Sequence, residues 1–159
     1  MFTAQVPYDA RVTSIRASVV IDASPAEVWA AIDDISSHVL WMHDAKAITF
    51  TSRRTSGVGT TFDCLTGLGP IRLTDRMEIT AWRPRRQMGV RHVGVVSGKG
   101  AFTLKSVRRR RTRFTWKERL RFPWYLGGPF GGLVGGELLR LVWRRNLRTL
   151  KRLVEAGAL

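Results

Sequence analysis

A chain of 159 residues is long enough for one sizeable core and short for two, so a single domain spanning residues 1–159 is expected. Hydrophobic residues at 44% with six tryptophans exclude a disordered chain, and a single cysteine excludes a disulfide framework or a zinc site of several cysteines. With 27 Lys and Arg against 12 Asp and Glu, the net charge is +15, which predicts attraction to anionic partners.

The N-terminal residues show no basic segment followed by an apolar one, so neither a secretory signal nor a transit helix is expected and a cytoplasmic location is the default. Residues 15–22, IRASVVID, read as a strand. SPAEVWAAIDD follows, with Ser24 as cap, Pro25 in the first turn and Glu27 in capping-box position, and it reads as a short helix. ISSHVLWMHD reads as a second helical piece capped by Ser36 or Ser37. From Ala45 the period changes to two, broken at Ser56-Gly57, Gly67 to Pro70, Arg83-Pro84, Ser97-Gly98 and Arg108 to Arg111. This predicts six antiparallel strands, with Pro123 ending the last.

The stretch RFPWYLGGPFGGLVGGELL carries no Gly-Lys-Ser/Thr ending and follows an antiparallel strand, so it is not a phosphate loop. Its neutral run is too short and too glycine-rich to cross a membrane. A long amphipathic helix follows, apolar at Leu138, Leu139, Val142, Trp143, Leu147, Leu150, Leu153 and Val154 and basic at most positions between. An antiparallel sheet with one long helix to cover it is an α+β architecture.

Strand plus SPAEVWAAIDDISSHVLWM, the Ala81 to Arg86 turn, the strand pair GKGAFTLKSV and RTRFTWKERL, and the final helix resemble the START/Bet v1-like superfamily, specifically its SRPBCC proteins of polyketide cyclase/dehydrase type. The resemblance covers about residues 13–156. It implies a helix-grip fold, a curved seven-stranded sheet around the C-terminal helix, enclosing a cavity for a hydrophobic small molecule. It implies no universal catalytic motif.

Alternation independently places side chains. In RFTWKERLRF, Phe114, Trp116, Glu118, Leu120 and Phe122 share a face opposite the arginines, so Glu118 points inward among aromatics. In IRLTDRMEITAW, Ile71, Leu73, Asp75, Met77 and Ile79 are the inner set. Phe62, Cys64, Thr66, Met88, Val90, His92, Phe102 and Leu104 complete it. Asp75, His92 and Glu118 are therefore the candidate cluster for acid/base catalysis, for anchoring a ligand's polar group or for pairing with one another. The expected cavity lining is Trp41, Met42, Phe62, Cys64, Asp75, Met77, Val90, His92, Phe102, Trp116 and Glu118. Trp124, with Tyr125 and Leu126, is expected at the mouth, and Leu133, Val134 and Leu138 are expected to face inward from the helix.

His38 and His43 form a His-x4-His pair with no third ligand nearby, so no metal is expected, and no cofactor. Cys64 has no catalytic signature around it and reads as a packing residue. Arg108, Arg109, Arg110 and Arg111 are the candidate residues for an anionic surface. Phe114, Trp116 and Phe122 alternate with arginines but on the opposite face, which argues against nucleic acid, whereas Phe122, Trp124, Tyr125 and Leu126 beside basic residues at the expected mouth fit peripheral contact with an anionic membrane; a plain solvated basic surface is the alternative. Three readings of function stand together: binding of a lipid or polyketide-like molecule for carriage, sensing or sequestration; a cofactor-independent cyclase or dehydratase; and a basic accessory protein. Monomer and homodimer are both open.

Overall fold

The computed structural model describes residues 12–123 and, from residue 128, the last helix, whose side chains are described from residue 135. The predicted Trp124, Tyr125 and Leu126, and the side chains of Leu133 and Val134, lie outside the described residues. The elements run β1 (Val12–Ile21), α1 (Pro25–Ile32), a 3-10 helix (Ile35–Leu40), β2 (Ala45–Phe50), β3 (Thr61–Leu68), β4 (Ile71–Arg83), β5 (Gln87–Val93), β6 (Ser97–Arg108), β7 (Arg111–Arg121) and α2 (Gly128–Glu155). All strand pairs are antiparallel, in the order β1-β7-β6-β5-β4-β3-β2. The open curved sheet with a C-terminal helix on its inner face is the helix-grip arrangement.

Local chemistry sets the boundaries. Ser24 Oγ accepts from the Glu27 amide at 3.3 Å and the Glu27 carboxylate accepts from the Ser24 amide at 2.7 Å, so the capping box starts α1. The 3-10 helix is capped by Asp34, not by Ser36 or Ser37: Asp34 Oδ1 accepts from the Ser36 amide at 3.0 Å. The β5–β6 turn falls at Gly94 to Val96, ahead of the expected Ser97-Gly98, which already belong to β6.

Strand alternation buries Ile15, Ala17 and Ile21 of β1, Phe62 and Cys64 of β3, Met88 of β5, Phe102 and Leu104 of β6, and Phe114, Trp116 and Leu120 of β7. Each large apolar side chain so buried contributes about 1.5–3 kcal/mol. Ile71 has inward parity but is 64% exposed, because it sits at the tip of the β3–β4 hairpin beyond anything that covers it. α2 lays Trp143, Leu147 and Leu150 on this core, and Trp143 stacks on Trp116 with centroids 4.3 Å apart and planes 8° from parallel. At Gly136 a Cβ would lie 2.9 Å from Thr13 Cγ2, so a side chain there would have to displace Thr13 for the helix backbone to lie this close to β1.

A polar hub fixes α2 to the start of β2. Buried Asn146 accepts from the His43 amide at 2.9 Å and donates to Asp44 Oδ1 at 2.7 Å, while His43 Nε2 lies 3.0 Å from Thr149 Oγ1. Asn146→Ala should cost about 1–3 kcal/mol, because it strands the His43 N–H and one Asp44 oxygen together. Urea unfolding of the variant would show it as a lowered midpoint with unchanged m-value.

Candidate functional site

Beneath the sheet lies a cavity of about 70 Å3. Ile35, His38 and Met42 close it from the 3-10 helix and the turn after it; Ile48, Phe62, Cys64, Met77 and Ile79 come from β2, β3 and β4. Met88, Val90, Ala101, Phe102, Trp116 and Glu118 complete the wall from β5, β6 and β7. Glu118 is the one carboxylate in this lining.

Register brings the three candidate residues together. Met77 pairs with His92 and Gly100 with Glu118, which sets the inner faces of β4, β5 and β7 against one another. His92 Nδ1 lies 2.5 Å from Asp75 Oδ2, and its Nε2 lies 3.3 Å from Glu118 Oε2, close enough for ion pairing but off the line of a hydrogen bond. Glu118 Oε1 accepts from Trp116 Nε1 at 2.8 Å. All three residues are 6% exposed. Burial by itself would lower the His92 pKa, but the hydrogen bond to Asp75 and the charges of Glu118 and Asp75 overcome it and push it to about 10. His92 is therefore an imidazolium at neutral pH, held between two carboxylates. Glu118 can lie over β6 because residue 100 is glycine: a Cβ there would be 2.3 Å from Glu118 Cγ.

The arrangement gives the three residues unequal access. Only Glu118 reaches the cavity; His92 stands behind it and Asp75 behind His92. Asp75 and His92 thus support the wall and do not form it, a correction to the expected lining. Trp41 also moves behind the wall: it is fully buried, with Phe102, Phe114 and Trp116 at centroid distances of 5.8, 6.3 and 6.0 Å. Leu138 is 51% exposed and faces away from the cavity, because the face of α2 turned to the sheet is the one carrying Trp143, Asn146, Leu147 and Leu150. Met42, Phe62, Cys64, Met77, Val90, Phe102 and Trp116 stand in the wall. Burial pushes the Cys64 thiol up to about 11, which keeps it protonated at neutral pH.

His38 enters the wall although the sequence marked it only as half of a weak metal pair. Its Nε2 donates to the Ile32 carbonyl at 2.7 Å and its ring lies 5.2 Å from Trp41. Burial lowers its pKa to about 4 against the opposing pull of that carbonyl and of Asp34, so it is neutral. His43 faces Thr149 instead, and among the described residues no three or more His, Cys, Asp or Glu side chains are placed to hold a metal ion together. At the far hairpin, Arg110 pairs with Glu27 and Arg111 with Asp22 at 2.7 Å, so two of the four candidate arginines for an anionic surface are engaged within the chain; Arg108 and Arg109 are exposed. No helix among the described residues is long and apolar enough to cross a membrane.

Solved structures share this architecture at low identity. The Thermus thermophilus protein TTHA0849 superposes with a TM-score of 0.77 at 17% identity, covering 92% of this chain and 99% of that one. DR_A0006 from Deinococcus radiodurans gives 0.65 at 18% identity, covering 91% and 98%. The di-domain ARO/CYC StfQ from the steffimycin biosynthetic pathway gives 0.69 at 13% identity, covering 92% of this chain and 50% of that one. No curated protein matches the chain in sequence. The family model described as polyketide cyclase / dehydrase and lipid transport matches residues 12–155, and the chain belongs to that family.

Proposed function

We propose that the chain binds a hydrophobic or aromatic small molecule in the cavity under the sheet, for carriage, sensing or sequestration, with Glu118 holding the ligand's polar group. The observation that carries this is an apolar wall with one carboxylate in it, fixed by Trp116 beside it in the wall and by the His92–Asp75 pair behind it. A ligand with a hydroxyl or amine donor at one end of an apolar body suits that wall, since a buried carboxylate favours a donor and rejects an acceptor. At about 70 Å3 the cavity is smaller than the roughly 300 Å3 or more of ordinary ligand sites, so binding has to enlarge it. Met42, Met77 and Met88 are the flexible side chains in the wall that can move.

Native mass spectrometry of the purified protein, and titration with the fluorophore 1-aminoanthracene, test this reading. The expected result is saturable binding that Cys64→Leu blocks by filling the cavity and that Glu118→Gln weakens by about tenfold. Binding that both variants leave unchanged would place the ligand elsewhere.

A second reading, a cyclase or dehydratase, draws on the family's description and on the name of StfQ. Within the Asp75, His92 and Glu118 cluster it narrows to one proton-transfer group. His92, protonated to about pH 10, is no general base at neutral pH, and Asp75 does not reach the cavity, so Glu118 would move the proton while His92 positions it. Turnover of an aromatic poly-ketone that disappears in Glu118→Gln while binding persists would favour the enzyme over the carrier.

A further inference from the structure

The outer face of the same sheet carries an arrangement that the inner cavity does not use. Across β6, β5 and β4, Ala101 pairs with Gly89 and Gly89 with Ala81, and the three small residues floor a trough of about 310 Å3 running across the strands. Lys117, paired with Ala101, closes its β7 end. One bank is cationic: Arg119 stands opposite Lys99, and Lys99 opposite Arg91, about 4.8 Å apart from strand to strand. The opposite bank offers the Gln87 amide, and the Thr80 hydroxyl stands at the β4 end of the trough beside Gly89. A bulge between Ile79 and Ala81 lifts Thr80 out of the pairing and sets it there.

Of the cations here only Arg91 is compensated, by Glu78 at 2.6 Å; the side chains of Lys99, Lys117 and Arg119 make no ion pair or hydrogen bond among the described residues. Like charges directly opposite one another across strands destabilise a sheet. The neighbouring carboxylate on β7, Glu118, points through to the inner face and pairs there with His92. The trough is therefore an electropositive concavity with hydroxyl and amide donors facing it and a floor of one glycine and two alanines, whose side chains are no larger than a methyl.

We propose that this trough binds a phosphate-bearing small molecule, its phosphate oxygens received by Lys99, Lys117 and Arg119 and by the Thr80 and Gln87 donors. Its volume lies at the scale of a small-molecule site, about 300–1,000 Å3. A nucleic acid fits less well, because the aromatic residues of β7, Phe114 and Trp116, are turned inward and leave no stacking platform on this face. The phosphate belongs to a free ester or to the headgroup of an anionic lipid, which present the same oxygens.

Calorimetric titration of the intact chain with inorganic pyrophosphate at fixed ionic strength tests the site. The expected result is saturable binding, with affinity lost about tenfold for each cation removed in Lys99→Ser, Lys117→Ser and Arg119→Ser. These exposed substitutions relieve repulsion and should leave the melting temperature at or above that of the parent, so loss of binding is not loss of fold. Phosphatidylglycerol vesicles competing with pyrophosphate would identify the headgroup as the source, and vesicles that leave the titration unchanged would identify the free ester. Binding matched by chloride at equal ionic strength, retained in the triple variant, or seen with duplex DNA and not with pyrophosphate would overturn the proposal.

Discussion

Replacing His92 with leucine is expected to cost about 3–5 kcal/mol of folding stability, the largest effect of any single substitution in the inner cluster. The reason is electrostatic more than steric. His92 supplies the positive charge between Asp75 and Glu118, and each of those residues is 6% exposed, so neither carboxylate can recover a water shell when the imidazolium goes. Asp75 Oδ1 already lacks a hydrogen-bond partner, and the substitution would remove the partner of Oδ2 as well. Restoring neutrality should recover most of the loss: His92→Leu combined with Asp75→Asn and Glu118→Gln replaces two uncompensated charges by amides of nearly the same shape. Urea unfolding of the single and triple variants measures both. A single variant within about 0.5 kcal/mol of the parent would mean that the cluster carries no buried charge.

That cluster was half legible in the sequence. Parity alone turns Asp75 and Glu118 inward, because on β4 and β7 the alternate positions are occupied by Arg, Lys, Thr and Glu78 that water holds on the outside, and it turns His92 inward with Met88 and Val90 on β5. What parity does not contain is register, and it is the Met77–His92 and Gly100–Glu118 pairings that convert three inward residues into a contact. The same limit explains Trp82. Its number puts it among the outward residues of β4, yet the bulge before Ala81 pairs it with Met88, and its ring meets Trp29 edge-on at 5.2 Å. His38 is not legible for a different reason: a 3-10 helix of six residues is too short to show a periodicity, so nothing marks which side of it faces the core. Leu138 departs from the expected inward face because α2 has apolar residues on more than one face, and its docking against β1 fixes the rotation.

The two buried histidines should together give the folded state a stability maximum near pH 6.5, with losses on both sides. In the unfolded chain each imidazole titrates near 6.5. His92 is raised to about 10 when folded, so its contribution is fully present below pH 6.5 and disappears as the pH rises toward 10. His38 is lowered to about 4, so below pH 6.5 the unfolded chain takes up a proton that the folded chain refuses, and stability falls as the pH drops toward 4. Either slope can reach about 1.4 kcal/mol per pH unit. Cys64, raised from 9 to about 11, steepens only the alkaline limb above pH 9, which leaves pH 6.5 to 9 to His92. Unfolding midpoints measured from pH 4.5 to 9 at constant ionic strength separate the two limbs. His38→Gln should flatten the acid side alone, and the neutral triple variant at positions 75, 92 and 118 should flatten the alkaline side alone. A parent profile level between pH 6.5 and 9 would contradict an imidazolium held by two carboxylates, and with it the account of how Glu118 is fixed in the cavity wall.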